Sequence, residues 1–180
     1  MRRVLRWTAV GSPGTEELVL RTEAGLVIAD SVVTGTLGDR TARVAYHLQL
    51  DPDWQVLRAS VQEGDAQVDL SRNSDGTWRD RDGVLLPDLA GCIDVDISVT
   101  PFTNTLPIRR LQLAPGESAE IRVVYIRVPE LVLRPDRQRY TNLGGRRYRY
   151  EALDRGFATE LSVDDSGFVL EYPNLFLRVP

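Results

Sequence analysis

The sequence of 180 residues contains no lysine, and all 22 of its basic residues are arginine. Schiff-base chemistry and catalysis by a lysine base are therefore excluded, because the guanidinium group stays protonated and is not a tunable amine. The chain also has a single cysteine, Cys92, and a single histidine, His47. These two residues cannot form an intramolecular disulfide or supply the nitrogen and sulfur ligands of a zinc site. We therefore expect no metal, no cofactor and a structural role for His47.

Long apolar runs are absent as well. No stretch approaches the roughly 20 apolar residues that a membrane-spanning helix needs. The arginine pair near the start is not followed by the apolar run of a secretion signal, because Thr8, Gly11 and Ser12 interrupt it. We therefore expect a cytoplasmic protein that does not insert stably into a membrane.

The dominant pattern in the chain is an alternation of apolar and polar residues with a period of two. In RVAYHLQLD, for example, Val44, Tyr46, Leu48 and Leu50 share one face of a predicted strand. Further strands are predicted in ELVLRTE, WQVLRASV, CIDVDISV, AEIRVVYIRV, RRYRYEA, FATELSV and GFVLEY. The tetrapeptides NSDG, DRDG, NLGG and DDSG between strands are typical of tight turns. This regular spacing predicts a single all-β domain over residues 1–180, with an antiparallel sheet that forms a sandwich or an open barrel.

The segment PFTNTLPIRRL interrupts this alternation. Pro101 should end the preceding strand, because proline cannot donate a hydrogen bond to a neighbouring strand. A short helix capped by Thr103 or Thr105 and ending near Arg110 is predicted, with Pro107 in its first turn. We expect at most one or two short helices, with this one covering part of a concave sheet face.

Charge is distributed unevenly along the chain, although the whole protein has a net charge of only −4. Residues 51–100 contain 4 arginines and 11 acidic residues, whereas residues 101–150 contain 10 arginines and 4 acidic residues. We expect these neighbouring segments to lie close together and to neutralise each other, because an exposed basic half beside an acidic half would favour self-association. Formation of a homo-oligomer remains possible.

Asp94 and Asp96 form a pair of carboxylates on one face of a predicted strand. We expect them to pair with arginines of the basic segment, and we predict a salt bridge from Arg109 or Arg110 to one of them. The alternative is catalysis, because carboxylates two residues apart on a strand are about 6.5–7 Å apart, near the spacing in inverting glycosidases. Neighbours on one strand stand side by side, however, and do not easily flank a bond from opposite sides.

Residues 134–150, RPDRQRYTNLGGRRYRY, combine six arginines with three tyrosines. Arginine interleaved with aromatic residues is compatible with nucleic-acid binding, with a site for an anionic ligand, or with a solvated hairpin whose charges nearby acids neutralise. The acidic net charge favours the hairpin, and we expect no nucleic-acid partner.

Three stretches resemble a bacterial family of glycolipid-binding proteins that was formerly a domain of unknown function. They are LAGCIDVDIS at 89–98, PFTNTLPIRRL at 101–111 and GFATELSVDDSGFVLEYPNLFLRV at 156–179. The second is the most specific, and the similarity extends over nearly the whole chain from TGTLGDRTARVAYHLQLD onward. The resemblance implies a single-domain, strongly curved antiparallel sheet of the half-barrel or β-roll type.

The resemblance also implies a ligand, because a curved sheet with an apolar concave face can hold an amphiphile under a lid. Leu106, Ile108 and Leu111 would form the lid, and neighbouring polar residues would contact a sugar or phosphate. The predicted ligand-binding residues are Trp78, Asp94, Asp96, Thr103, Asn104, Arg109 and Arg110.

Three classes of function follow from these expectations. The leading prediction is a glycolipid- or lipid-binding protein without catalytic residues. The alternatives are an enzyme that acts on an acidic sugar or lipid through Asp94 or Asp96 with arginine clamps, and an interaction module without a small ligand.

Overall fold

The computed structural model describes residues 2–37 and 40–180, in which 14 strands form one sheet accompanied by one α-helix and one short 3-10 helix. The strands are β1 (Arg2–Ala9), β2 (Gly14–Glu23), β3 (Leu26–Leu37), β4 (Arg40–Leu50), β5 (Val56–Glu63), β6 (Ala66–Arg72), β7 (Trp78–Asp80), β8 (Asp94–Ile97), β9 (Ser118–Arg127), β10 (Val132–Gly144), β11 (Arg147–Ala152), β12 (Phe157–Val163), β13 (Val169–Tyr172) and β14 (Phe176–Val179). The helices are the 3-10 helix Pro87–Leu89 and α1 (Phe102–Leu111).

The sheet grows outward in both directions from β1. Its order is β7-β6-β5-β4-β3-β2-β1-β14-β13-β12-β11-β10-β9-β8, so that each half is a simple meander. All neighbours are antiparallel except β8 and β9, which are parallel because α1 carries the chain back between them. The edge strands β7 and β8 approach each other, and the indole nitrogen of Trp78 donates to the carbonyl of Cys92 at 3.0 Å. The strand order has two ends, β7 and β8, so that the sheet is curved but not closed into a barrel, which agrees with the predicted curved all-β fold.

Burial follows the alternation that the sequence shows. On β4, Val44, Tyr46, Leu48 and Leu50 are all buried and form the inner face, which confirms the prediction for that strand. Every other predicted strand is also present, and the four predicted turns connect strands or follow β7. The strands that the sequence analysis did not identify are β1, β3, β6, β7, β10 and β14.

The buried side chains form two clusters. The first cluster lies mainly on β1–β9 and includes all three tryptophans, Trp7, Trp54 and Trp78. The second cluster lies on β10–β13 and is rich in tyrosine, with Tyr140, Tyr150 and Tyr172. α1 joins the two, because Phe102 and Leu106 pack in the first cluster while Ile108 packs in the second.

The start of α1 differs from the prediction. The helix begins at Phe102, whose backbone N–H donates to the hydroxyl of Thr100 at 3.0 Å, so that neither Thr103 nor Thr105 caps it. Because the helix starts early, Pro107 lies in its interior and not in its first turn. Proline there removes one hydrogen bond of the helix. This loss is tolerated in a helix that is buried along most of its length.

We call the end of the sheet where β1 ends and β14 begins the top, and the end where β1 and β13 begin the bottom. α1 runs from top to bottom, because it follows the top end of β8 and Arg109, near its last turn, contacts the bottom turn between β12 and β13. The helix therefore separates the features at the two ends.

Candidate functional site: two adjoining chambers

An apolar chamber opens at the top of the sheet. Its volume is about 200 Å³, and its walls come from the ends of β1–β4 and from the start of β14. The apolar residues of the wall include Trp7, Val33, Val44 and Phe176. Such a space suits an aliphatic group, because burial of apolar surface is the main favourable term in binding such groups.

Among the described residues that line the apolar chamber, Glu16 is the one that is acidic. It is only 3% exposed and forms no ion pair with a described residue. Its carboxylate accepts hydrogen bonds from Tyr46 at 2.6 Å, from Thr100 at 2.7 Å and from Ser31 at 2.8 Å. Burial raises the pKa of Glu16 from 4.5 to about 7, although the three hydroxyl groups oppose the shift. Glu16 can therefore exist as an acid or as a carboxylate near neutral pH.

A second, polar chamber of about 160 Å³ lies beside the apolar one. Its wall combines hydrogen-bonding groups, among them Asp96, Asn104 and Arg155, with aromatic rings such as those of Tyr125 and Tyr150. The composition resembles that of sites in which a few polar groups orient a ligand between aromatic surfaces.

The charged group of the polar chamber is centred on Arg155. Its Nη2 donates to Tyr150 at 2.9 Å, to Asp136 at 3.0 Å and to Asp96 at 3.2 Å. The guanidinium also lies 4.2 Å from the ring centroid of Tyr125. Burial alone would lower the pKa of Arg155, but Tyr150, Asp96 and Asp136 more than offset this effect and raise it. The guanidinium is thus fixed in place before any ligand arrives.

Asp96 and Asp136 give this group one more carboxylate than it has cations. One arginine faces two carboxylates, and Asp96 also accepts from the amide of Gln138 at 2.7 Å. Burial raises the pKa of Asp96, the nearby charge of Asp136 adds to the shift, and Arg155 opposes it. Asp136 in turn has a buried oxygen, Oδ1, without a hydrogen-bond partner. The polar chamber therefore offers acceptors for hydroxyl groups as well as a cation.

The two chambers adjoin each other. Ser98, Leu175 and Phe176 line both of them, so that an apolar compartment opens beside a polar one. Thr100 lines the polar chamber and also binds Glu16 of the apolar chamber. The arrangement matches a ligand with one apolar and one polar part.

The residues predicted to bind a ligand do not come together at one place. Asp96 and Asn104 line the polar chamber, and Asn104 donates to the hydroxyl of Tyr140 at 2.8 Å. Thr103 is 2% exposed, and its hydroxyl accepts from the backbone of Ile97 at 3.3 Å. These contacts fix the first turn of α1 against β8.

The remaining predicted residues lie elsewhere. Asp94 is fully buried and pairs with Arg110 at 2.6 Å, which confirms the predicted salt bridge from the arginine pair. Arg109 points to the bottom of the sheet, away from both chambers. Trp78 is fully buried in the first cluster, and a role for it in ligand binding stays a prediction.

Sequence analysis missed Glu16, Arg155 and the tyrosines that face the polar chamber. A signal existed for Glu16, because it precedes Leu18 and Leu20 in phase with the buried positions of β2. An acidic residue in an inward position is a candidate for a functional group. Arg155 lies in a turn, and nothing local distinguishes it from the exposed arginines.

The segment rich in arginine and tyrosine forms the hairpin of β10 and β11. Most of its arginines pair with nearby acidic residues, for example Arg137 with Asp154 of the following turn at 2.9 Å and Arg147 with Glu160 of β12 at 3.3 Å. These contacts favour the hairpin interpretation over an exposed basic surface. His47 lies on the outer face of β4 and binds Asp30 at 2.6 Å.

Within residues 2–37 and 40–180, no group of three or more metal-ligating side chains is found. In the same ranges, no helix has the length and hydropathy needed to cross a membrane.

Comparison with known proteins places the fold in a family. The model of the family described as "Putative glycolipid-binding" matches residues 4–178. The chain is also similar to the crystal structure of a DUF1089 family protein from Pseudomonas aeruginosa, with 38% sequence identity and a TM-score of 0.81 over 91% of this chain and 92% of that chain. No curated protein matches the chain.

Proposed function

The chain belongs to this glycolipid-binding family, and we propose that it binds an amphiphilic small molecule of the glycolipid class in the two adjoining chambers. The observation that carries the proposal is the shared wall of an apolar and a polar compartment at the top of the sheet. Neither compartment alone would distinguish an amphiphile from a simple lipid or a simple sugar.

The apolar part of the ligand would occupy the apolar chamber. Each methylene group transferred from water into such a space contributes about 0.8 kcal/mol to binding. Glu16 would then meet the ligand from the wall of the chamber, where its carboxyl group can accept or donate a hydrogen bond.

The polar part would occupy the polar chamber. Arg155 and Asn104 supply donors, Asp96 supplies acceptors, and the rings of Tyr125 and Tyr150 supply flat apolar surfaces. This mixture suits a sugar, which presents hydroxyl groups at its rim and C–H groups on its faces. Because Arg155 is already held by three acceptors, little side-chain entropy is lost on binding.

Catalysis that uses Asp94 and Asp96 as a pair receives no support from the geometry. Asp94 is fully buried against Arg110, while Asp96 lines the polar chamber, so that the two carboxylates do not face a common space. A binding protein therefore fits the site better. A cytoplasmic location and the absence of a nucleic-acid partner stay predictions.

The proposal is tested with three probes: n-octyl glucoside, glucose and n-octanol. Calorimetry below the micelle concentration should show binding of octyl glucoside, and weaker or no binding of glucose and octanol, because only the first fills both chambers. Equal affinity for glucose and octyl glucoside would contradict the use of the apolar chamber.

A matched pair of variants locates the binding site. Val33 lines the apolar chamber, whereas its neighbour Val32 lines a groove on the outer face of the sheet. Val33→Phe should weaken octyl glucoside binding at least about ten-fold, or about 1.4 kcal/mol, because the added ring fills the chamber. Val32→Phe should leave the affinity unchanged. Unaltered binding by a folded Val33→Phe variant would rule out this chamber.

A further inference from the structure

A separate groove lies at the bottom of the sheet and is lined by three arginines. Its volume is about 220 Å³. Arg3, Arg21 and Arg109 line it together with the rings of Trp54 and Phe168, and none of the described residues that line it is acidic. A concave surface with several guanidinium groups attracts anions.

Arg109 is fixed at the centre of this groove. Its guanidinium carbon lies 4.1 Å from the ring centroid of Trp54 and 5.3 Å from that of Phe168. One of its terminal nitrogens donates to the carbonyl of Ser166. The turn fits closely around the side chain, because a Cβ atom on Gly167 would lie 3.2 Å from Cγ of Arg109. The guanidinium is thus positioned without any carboxylate.

Among the described residues Arg109 has no ion-pair partner, whereas the other arginines nearby are paired. Arg3 and Arg178 share the carboxylate of Asp164, at 2.8 and 2.7 Å. Arg21 has its own carboxylate partners on β2 and β3. Arg109, in contrast, forms no ion pair with any described residue, and its buried Nε has no hydrogen-bond partner.

The electrostatic surroundings of Arg109 are unfavourable for its charge. Burial lowers the pKa of Arg109; the nearby carboxylate of Asp164 opposes this shift, and the smaller effect of the charge of Arg3 adds to it. A bound anion would stabilise this partly buried charge, because it would interact with both guanidinium groups.

We propose that this groove is a second binding site, which takes a phosphate-sized oxyanion through Arg109 and Arg3. The planar guanidinium fork matches the geometry of phosphate and sulfate oxygens better than an ammonium group does. A soluble phosphate ester and the head group of a phospholipid both present such an oxyanion, since both carry the same oxygens.

The oxyanion site is distinct from the chambers that hold the amphiphile. The groove lies at the bottom of the sheet and the chambers lie at the top, and no described residue lines both the groove and a chamber. α1 has 10 residues, a length of about 15 Å, and extends between the two regions. Failure of one proposal therefore leaves the other unaffected.

The test uses glycerol 3-phosphate, titrated into the protein labelled with ¹⁵N at constant ionic strength in chloride. The Nε–H signal of Arg109 and the indole signal of Trp54 should shift together and saturate. Arg109→Gln should weaken binding at least about ten-fold. Shifts that do not saturate, or an unchanged affinity in folded Arg109→Gln protein, would overturn the proposal.

A matched control removes the same charge at the other end of the molecule. Arg134 also lies over an aromatic ring, 4.9 Å from the centroid of Tyr125, and it forms no ion pair with a described residue. Arg134→Gln should leave the affinity for glycerol 3-phosphate unchanged. An equal loss in both variants would show a general effect of charge and would contradict a defined site. If Arg109→Gln does not fold, Arg3→Gln should show the weakened binding, and unchanged binding there would overturn the proposal.

Vesicles distinguish the two sources of the oxyanion. The groove would be assigned to a lipid head group if the protein sediments with phosphatidylglycerol vesicles but not with phosphatidylcholine vesicles, and if this sedimentation requires Arg109. Saturable binding of glycerol 3-phosphate without sedimentation would assign it to a soluble ligand. If the protein neither sediments with phosphatidylglycerol vesicles nor binds glycerol 3-phosphate saturably, the proposed oxyanion site is refuted.

Discussion

Glu16 is a buried acidic residue whose environment moves its ionisation close to neutral pH. It is buried beside three hydroxyl groups, forms no ion pair with a described residue, and has a pKa raised from 4.5 to about 7. Between these values the folded protein binds more protons at Glu16 than the unfolded chain does. The free energy of unfolding therefore falls as the pH rises through this window.

We predict that Glu16→Gln removes this pH dependence. The contribution of Glu16 is present near pH 4.5 and lost above pH 7, a change of about 3 kcal/mol. Relative to the wild type, Glu16→Gln should therefore gain stability as the pH rises, which urea unfolding at several pH values can measure. Glu17→Gln is the control, because Glu17 is exposed on the opposite face of β2. A constant difference between wild type and Glu16→Gln would contradict the shift.

Arg110 and Arg109 are neighbours with different roles, and we predict different effects of replacing them by alanine. Arg110→Ala strands the fully buried Asp94 without its partner and should cost about 3–5 kcal/mol. Arg109→Ala loses its contact with the Trp54 ring and should cost about 0.5–2 kcal/mol. Chemical unfolding measures both.

A surface arginine provides the baseline for these two variants. Arg127 pairs with Glu130 at 3.2 Å on the exposed surface, so that Arg127→Ala should cost no more than about 1 kcal/mol. An Arg110→Ala variant as stable as Arg127→Ala would show that the buried ion pair does not hold α1.

At the level of elements, α1 acts as an internal support of the curved sheet. Its residues from Phe102 to Ile108 are all buried, although Pro107 interrupts its hydrogen bonds. Its stability therefore comes from packing against β8 and the two clusters and not from helix propensity.

We predict that Leu106→Ala destabilises the protein by about 2–5 kcal/mol, because Leu106 is fully buried and its truncation leaves a cavity. Leu111→Ala, at the partly exposed end of the same helix, should cost clearly less. Thermal unfolding of both variants checks the difference. Equal losses would show that α1 is not anchored through Leu106.

At the scale of the whole molecule, the question is whether one sheet with two buried clusters unfolds as one unit. α1 contributes side chains to both clusters, and β1 joins the two halves of the sheet through β2 and β14. These connections favour a single domain.

We predict a single unfolding transition. All three tryptophans lie in the first cluster, so that their fluorescence reports on that cluster, whereas far-ultraviolet circular dichroism reports on the whole sheet. The midpoints of urea unfolding measured by the two methods should coincide. A separation of the midpoints would indicate two independently stable halves.

Much of the fold could be predicted from the sequence. The inner face of β4, the turns at NSDG and DDSG, and the pair of Arg110 and Asp94 all depend on interactions within short segments. Asp94 and Arg110 are only 16 residues apart and are connected through one proline-bounded turn. The candidate site could be predicted only in part, through Asp96 and Asn104. The alternation along a strand indicates on which face of the sheet a side chain lies, but it does not indicate which residues of other elements pack against that face.

The sequence by itself determined the strand periodicity, the turns and the interruption that became α1, because local sterics and the alternation of side chains fix these features. Only the tertiary structure decided where the functional groups meet. Glu16 receives its hydroxyl partners from positions 15, 30 and 84 residues away, and Arg155 reaches Asp96 across 59 residues. It also placed Arg109 in the groove and Asn104 in the polar chamber, although they are only five positions apart on α1. The register and curvature of a sheet are collective properties of all its strands, so that no local pattern contains them.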